Sequence, residues 1–487
     1  MVAVPGTQPR LSAAALHLVR RFTYGHNARL EADVLRHPSA TAWFEAQLSP
    51  GPDPDADATL AWFPRLKDSP ATAWENNRAG TFGGWQYGNA LVTYTLSRRV
   101  VAANQVHEMM TDFWSNLLHI PVGEDSSFPW RMDYDATAIR PHALGTYREL
   151  LRAAVTHPAM SGYLSNHRNT AKQINENLGR ELLELYTVGR AAGYTEDDVK
   201  ASARLLTGFT VAVGKDYAAG YDPARHHVGA VTVMGRRFEN ASADGRAELN
   251  AYLDWLATRP ETAARIARRL CVRFVSDEPA QSVVDAVTQT YLSSGTDIKA
   301  CLRTLVGHDA FRAAVRKKAR TPIEDVLATQ RACDIVPTGA GADSHVDSFS
   351  WYCSWTGQAL YSWPRPDGAP EKSDTYLSPA RMLRSWTVRS WMASVEGTLK
   401  QATRPALRDV VPPMWPLPFA ELVHHQSVMM TGHRASAETV RAAGTLVDPK
   451  VDPQTWVLDK SWHRDGLAWI VTLVRTAILS SPEAMLR

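Results

Sequence analysis

His107-Glu-Met-Met-Thr-Asp-Phe-Trp-Ser-Asn-Leu-Leu-His119 is the stretch that decides the fold. Glu108, Asp112 and Asn116 recur every four residues, with His119 three further on, while Met109, Phe113, Trp114, Leu117 and Leu118 make the other side. This spacing predicts an amphipathic helix. Two carboxylates one turn apart have two readings: they can share a proton or hold a cation, since like charges that close raise one pKa, or they are the solvated face common on such helices.

A second stretch, Asn175-Glu-Asn-Leu-Gly-Arg-Glu-Leu-Leu-Glu-Leu-Tyr186, repeats the pattern. Glu181 and Glu184 fall one turn apart, Asn177 one turn before them, and Leu182, Leu183 and Leu185 alongside. Arg180 lies four residues after Glu176 and four before Glu184, so its guanidinium can fork to either acid. That is the composition of a structural ion-pair network, and it is equally that of a site whose acids stay ionised.

Around these helices the wording becomes specific. Phe-Trp-Ser-Asn (113–116), Ile-Arg-Pro-His-Ala-Leu-Gly (139–145), Tyr-Arg-Glu-Leu-Leu (147–151), Asn-Glu-Asn (175–177), Arg-Glu-Leu-Leu-Glu-Leu (180–185), Gly-Tyr-Thr-Glu-Asp-Asp-Val (193–199) and Leu-Thr-Gly (206–208) resemble the large bacterial family catalogued as domain of unknown function 1800. Weaker echoes run through Arg273-Phe-Val-Ser-Asp to the closing Ser481-Pro-Glu. The resemblance implies a mostly helical, often exported protein without an established activity. It also implies a His after the Asn of Phe-Trp-x-Asn, an Asp before the Asn of Tyr-Leu-x-Asn, and a His after Glu-Leu-Leu-Glu-Leu. This sequence has Leu117, Ser165 and Tyr186 there. Three ligand-capable side chains replaced together would disable a metal site built from them, so no metal and no other cofactor is expected.

Working outward, the expected fold is all-α with a short β-hairpin excursion. Apolar residues at helical spacing mark packing helices over 12–48, and over 244–318 through Leu253, Leu256, Ile266, Leu270, Phe274, Val284, Val287 and Tyr291. Residues 53–57 are expected to be a loop, 68–89 an irregular passage carrying Trp74, Trp85 and Tyr87, and Leu91 to about His119 one long helix. Alternation in Val231-Thr-Val-Met-Gly-Arg-Arg-Phe238 predicts the hairpin. Nothing resembling a flexible linker divides the 487 residues, so one large body is expected. Its segments are 1–104 with an aromatic loop, 105–212 bearing the motifs, 213–243 the hairpin excursion, 244–335 a helical scaffold, and 336–487 aromatic-rich.

Composition excludes several functions. A hydrophobic fraction of 45% with 21% charged residues is that of an ordinary water-soluble core. Net charge of +3, without a Lys/Arg run interleaved with aromatics, argues against nucleic acid as a partner. No apolar stretch is long enough for a membrane span. The first residues lack a signal-peptide core, so the chain as given is expected to be cytoplasmic, or exported if a leader has been removed. Cys271, Cys301, Cys333 and Cys353 form no CxxC pair, and Cys271 reads as a small buried hydrophobe. No G-x-S-x-G elbow, Walker loop, H-E-x-x-H or strand-borne G-x-G-x-x-G is present.

The candidate catalytic groups are therefore Glu108, Asp112, Glu181 and Glu184, and the candidate substrate contacts Trp114, Asn116, Arg140, His142, Asn177, Arg180 and Trp363. The sixteen tryptophans, and the loop Ser362-Trp-Pro-Arg-Pro-Asp-Gly, suit a carbohydrate or other small polar molecule. Paired carboxylates beside aromatic platforms point to glycoside hydrolysis. The competing expectation is a non-catalytic helical protein whose charged network is structural. Oligomeric state is not legible from one sequence.

Overall fold

In the computed structural model, which describes residue 4, residues 6–459 and residues 464–487, helices recur throughout the chain. The chain is 58% helix and 6% strand. The strands form four two-stranded antiparallel sheets among the described residues. Val231 pairs with Phe238 and Val233 with Arg236, as the alternation predicts. Val233 and Phe238 point inward, Thr232 and Arg237 outward, and Phe238 packs edge-on against Tyr252. A second hairpin, Phe209–Val211 with Ala219–Tyr221, precedes it. One hydrophobic cluster contains residues from Val4 to Leu479. At its centre Phe274 stacks on Phe22 at 4.5 Å and approaches Phe113 at 6.4 Å, so the N-terminal helices, the 107–119 stretch and the Pro260–Phe274 helix share one core.

Three expectations change. Residues 53–57 are not a loop, because the Asp53 side chain caps a short helix, Pro54–Ala58, with Pro at its first position. The same carboxylate accepts the backbone N–H groups of Ala103 and Asn104 at 2.8 and 2.9 Å. That contact ends the expected long helix: it is two helices, Gly84–Val101 and Gln105–Leu117, with Ala102–Asn104 bent around a buried acid. The 68–89 passage is also mostly ordered, since Ser69 caps a helix Pro70–Ala79. Of its aromatics, Trp74 packs on Tyr217 and the Tyr87 hydroxyl donates to Asp68 at 2.6 Å, while Trp85 is exposed.

The second motif is set by close approach. A Cβ on Gly179 would stand 2.9 Å from the Ala203 nitrogen and 3.0 Å from the Val199 oxygen, so only glycine lets the Asn177–Glu181 helix lie on the Glu196–Leu205 helix. Beyond Glu181 the backbone widens into a π-helix, Leu182–Tyr186. A second π-helix spans Tyr134–Ile139. Such turns re-aim side chains relative to α-helical spacing.

Candidate functional site

Glu108 is sealed inside the protein, its side chain 1% exposed. Arg140 clamps both of its oxygens, at 2.7 and 3.2 Å, and Arg98 donates Nε to Oε1 at 2.8 Å while reaching Asp57 at 2.8 Å. Burial alone would push the Glu108 carboxyl up. The Arg140 and Arg98 guanidinium groups outweigh it and hold the carboxyl at about 2. His107, beside it, bonds through Nε2 to the Arg140 carbonyl.

Asp112 belongs to a second network. Its two oxygens meet Arg99 and Arg273, each at 2.7 Å. Arg273 also pairs with Glu324 at 3.1 Å and Glu371 at 3.2 Å, and Arg487 pairs with Glu324 at 3.0 Å. Asn116 closes the group: its Nδ2 donates to Glu371 and to the Ala369 carbonyl, and its Oδ1 accepts the Ala369 N–H. Gly368, at φ +73°, makes this possible, because any Cβ there would strike the Asn116 carbonyl. Asp112, Asn116 and Trp363 line one small cavity of about 40 Å³ with Arg273, Glu324 and Glu371.

Trp114 is core: its indole donates to the Ala143 carbonyl at 2.9 Å and its ring lies 5.3 Å from Tyr147. His142 sits half-buried in the turn Arg140–His142, and Asn177 is exposed at the start of its helix. Arg180 reaches Glu176 at 3.3 Å and Glu196 at 2.5 and 2.7 Å, not Glu184. The α-helical spacing that would join Arg180 to Glu184 fails because the π-turn begins between them. Glu184 instead accepts from Arg190 Nε at 2.7 Å and from the Tyr194 hydroxyl at 3.2 Å.

Glu181 differs from the other three acids. Its half-buried side chain makes no hydrogen bond or ion pair among the described residues. Burial, and then the neighbouring Glu184, push its carboxyl above the ordinary value, with Asp367 adding in the same direction.

Asp367 lies on the rim of an open cleft, about 490 Å³, between the Pro260–Phe274 helix and residues 363–375. Arg265, Arg268 and Arg269 form one wall; Trp363, Asp367, Pro370 and Glu371 belong to the other. Ile266, Leu270 and Phe274 mark Pro260–Phe274 as scaffold, and they are its buried face. The opposite stripe, Arg265, Arg268 and Arg269, was the available signal, at spacings of three and four.

Leu117 and Tyr186 are buried in the core, and Ser165 takes a left-handed turn before Asn166–Arg168. Among the described residues no group of three or more His, Cys, Asp or Glu side chains is placed to hold a metal ion. Chelation with EDTA is accordingly expected to leave the melting temperature unchanged; a clear drop, reversed by adding one metal, would overturn this. The four cysteines are buried and unbonded. No helix among the described residues is long and apolar enough to cross a membrane.

Fold and networks define a mostly helical protein in which guanidinium groups clamp buried carboxylates beside an arginine-lined cleft. The chain belongs to the family described as Protein of unknown function (DUF1800), whose model matches residues 17–486. No curated protein and no solved structure matches the chain.

Proposed function

We propose that the protein is a carboxylate-based hydrolase of a carbohydrate or similarly polar substrate, with Glu181 as the group that gives and takes the proton. The observation that carries this is the state of Glu181: it alone of the four candidate acids lacks a cation or hydrogen-bond donor, and its carboxyl is shifted upward. A general acid must hold a proton near the working pH, and burial beside a like charge is how proteins arrange that. Glu184, fixed by Arg190 and Tyr194, supplies the like charge. The π-turn that starts after Glu181 is a second support, since such turns are frequent at functional sites.

The clamps on Glu108 and Asp112 favour a second reading, in which the network is structural and the protein binds without catalysis. One variant separates the two. Glu181→Gln keeps size and hydrogen-bonding capacity but cannot exchange a proton. Because the folded-state carboxyl is raised, its ionisation disfavours the fold at neutral pH, so Glu181→Gln should melt at or slightly above the parent at pH 7. That difference should vanish as pH falls below the unfolded value of about 4.3, where the parent is protonated in both states. On a panel of chromogenic aryl glycosides the parent should turn over at least one, and the variant should lose about 10²-fold or more in kcat. No turnover by the parent, or equal turnover by the variant, would leave the binding reading standing.

A further inference from the structure

The geometry points to a binding site for a small phosphate monoester in the cleft between Arg265–Arg269 and the Trp363–Lys372 segment. It stands on the cleft itself and does not depend on Glu181 acting as an acid. The charges around the cleft do not cancel. Arg365 is paired with Asp367 at 3.1 Å, Lys372 with Glu278, and Glu371 with Arg273. Arg268 and Arg269 have no acidic partner among the described residues, and Arg265 donates only to the Leu185 carbonyl at 3.1 Å. The Arg269 Nε is shut off from solvent without a hydrogen-bond partner. Burial pulls the Arg265 and Arg269 guanidinium groups below their ordinary values, and Glu371 near Arg269 and Glu184 near Arg265 do not make up for it.

Three guanidinium groups on one helix face offer planar donors to a tetrahedral oxyanion, the geometry for which arginine is favoured over lysine. The facing wall has an apolar part, Ala369 and Pro370, beside the Trp363 ring, and Val272 lines the cleft from the arginine helix. Trp363 is fixed there, its indole donating to Asp367 at 2.8 Å with the Arg365 guanidinium 5.4 Å from its ring centroid. Donors on one side and a ring with apolar carbon on the other suit an ester whose phosphoryl group meets the arginines and whose organic part lies against Trp363. A volume of about 490 Å³ holds one such small molecule.

Isothermal titration of the full chain tests this with glucose 6-phosphate, orthophosphate, glucose 6-sulfate and glucose. Glucose 6-phosphate should bind one to one, more tightly than orthophosphate, and glucose should give no heat. The sulfate ester carries one negative charge where the phosphate carries nearly two, so it should bind at least ten-fold more weakly. Arg268→Glu, at an exposed position, should abolish binding with the melting temperature retained, and Arg269→Met should weaken it at least ten-fold. Absence of binding to both phosphates, equal affinity for the sulfate ester, or unchanged affinity in Arg268→Glu would each overturn the assignment. Glu181→Gln should bind as the parent does, which keeps failure of the acid–base role distinct from failure of this site.

Discussion

Replacing Arg273 by Met is expected to cost at least about 3–5 kcal/mol, the range for removing one partner of a buried ion pair. Arg273 is 4% exposed and is the common cation of Asp112, Glu324 and Glu371. Met fills the volume of the aliphatic stem and removes the charge, so the loss is electrostatic rather than a cavity. Asp112 would keep Arg99, Glu324 would keep Arg487, and Glu371 would keep only the Asn116 amide. Since Asn116 and Glu371 hold residues 368–371 against the Gln105–Leu117 helix, that segment should loosen first, and amide hydrogen exchange should rise there before it rises elsewhere.

The same network sets the acid limit of stability. Burial raises the Glu324 carboxyl, but Arg487 and Arg273 together bring it to about 2, and Glu108 is likewise held at about 2. A carboxyl depressed in the folded state stabilises the fold above its unfolded pKa and loses that contribution as pH falls. The contribution of Glu324 and Glu108 should therefore be complete above about pH 5 and be lost between about pH 4.5 and 2. Thermal melts across that range check it. In Arg273→Met the acid-dependent loss should be smaller and end at a higher pH, because with one guanidinium fewer the folded Glu324 carboxyl lies closer to its unfolded value. A variant that melts with the parent at pH 7 would show that the three acids do not depend on Arg273.

What the sequence made legible follows from how local each feature is. The hairpin at Val231–Val233 and Arg236–Phe238 is written in adjacent residues, and so are the helical faces of Met109, Phe113 and Leu117 or of Ile266, Leu270 and Phe274. Partners of the acids are not local. Glu108 meets Arg140 across 32 positions and Asp112 meets Arg273 across 161, so spacing on one helix could not tell a solvated face from a clamped one. Arg98 and Arg99, which reach those acids from the preceding helix, were hidden for another reason. Treating residues 91–119 as one helix points them away from Glu108 and Asp112, and only the bend at Ala102–Asn104, held by Asp53, folds them back.

The second motif failed in a subtler way. From Asn177 to Tyr186 it is helical, yet the pairing of Arg180 with Glu184 assumes α-helical spacing across a turn that is π. Residues 336–487 hold a similar case: Trp351 and Trp355 belong to a helix, Asp347–Thr356, and stack with Trp391 at 5.9 and 5.7 Å. They pack against one another at the surface, and of the aromatics in that region it is Trp363 that reaches the cleft.

Glu108→Gln should resemble Arg273→Met in size and oppose Glu181→Gln in sign. Gln cannot neutralise the Arg140 and Arg98 guanidinium groups that converge on Glu108, and it can accept from them with only one oxygen. Arg98 retains Asp57, but Arg140 would retain only Asp135, at 3.7 Å. The expected loss is about 3–5 kcal/mol at neutral pH. Whether that measures the worth of the pair or the penalty of stranding a cation is settled by the double variant Glu108→Met with Arg140→Met. Removing both charges from a well-packed interior is often neutral, so the double variant should recover most of the stability that either single change loses. The coupling between the two positions should be about 1–3 kcal/mol or more. If the double variant is as unstable as the sum of the singles, Glu108 is not acting through Arg140. Taken with a Glu181→Gln variant that keeps its stability, recovery in the double variant would assign the acid of the 107–119 stretch to the scaffold and leave Glu181 as the acid free for chemistry.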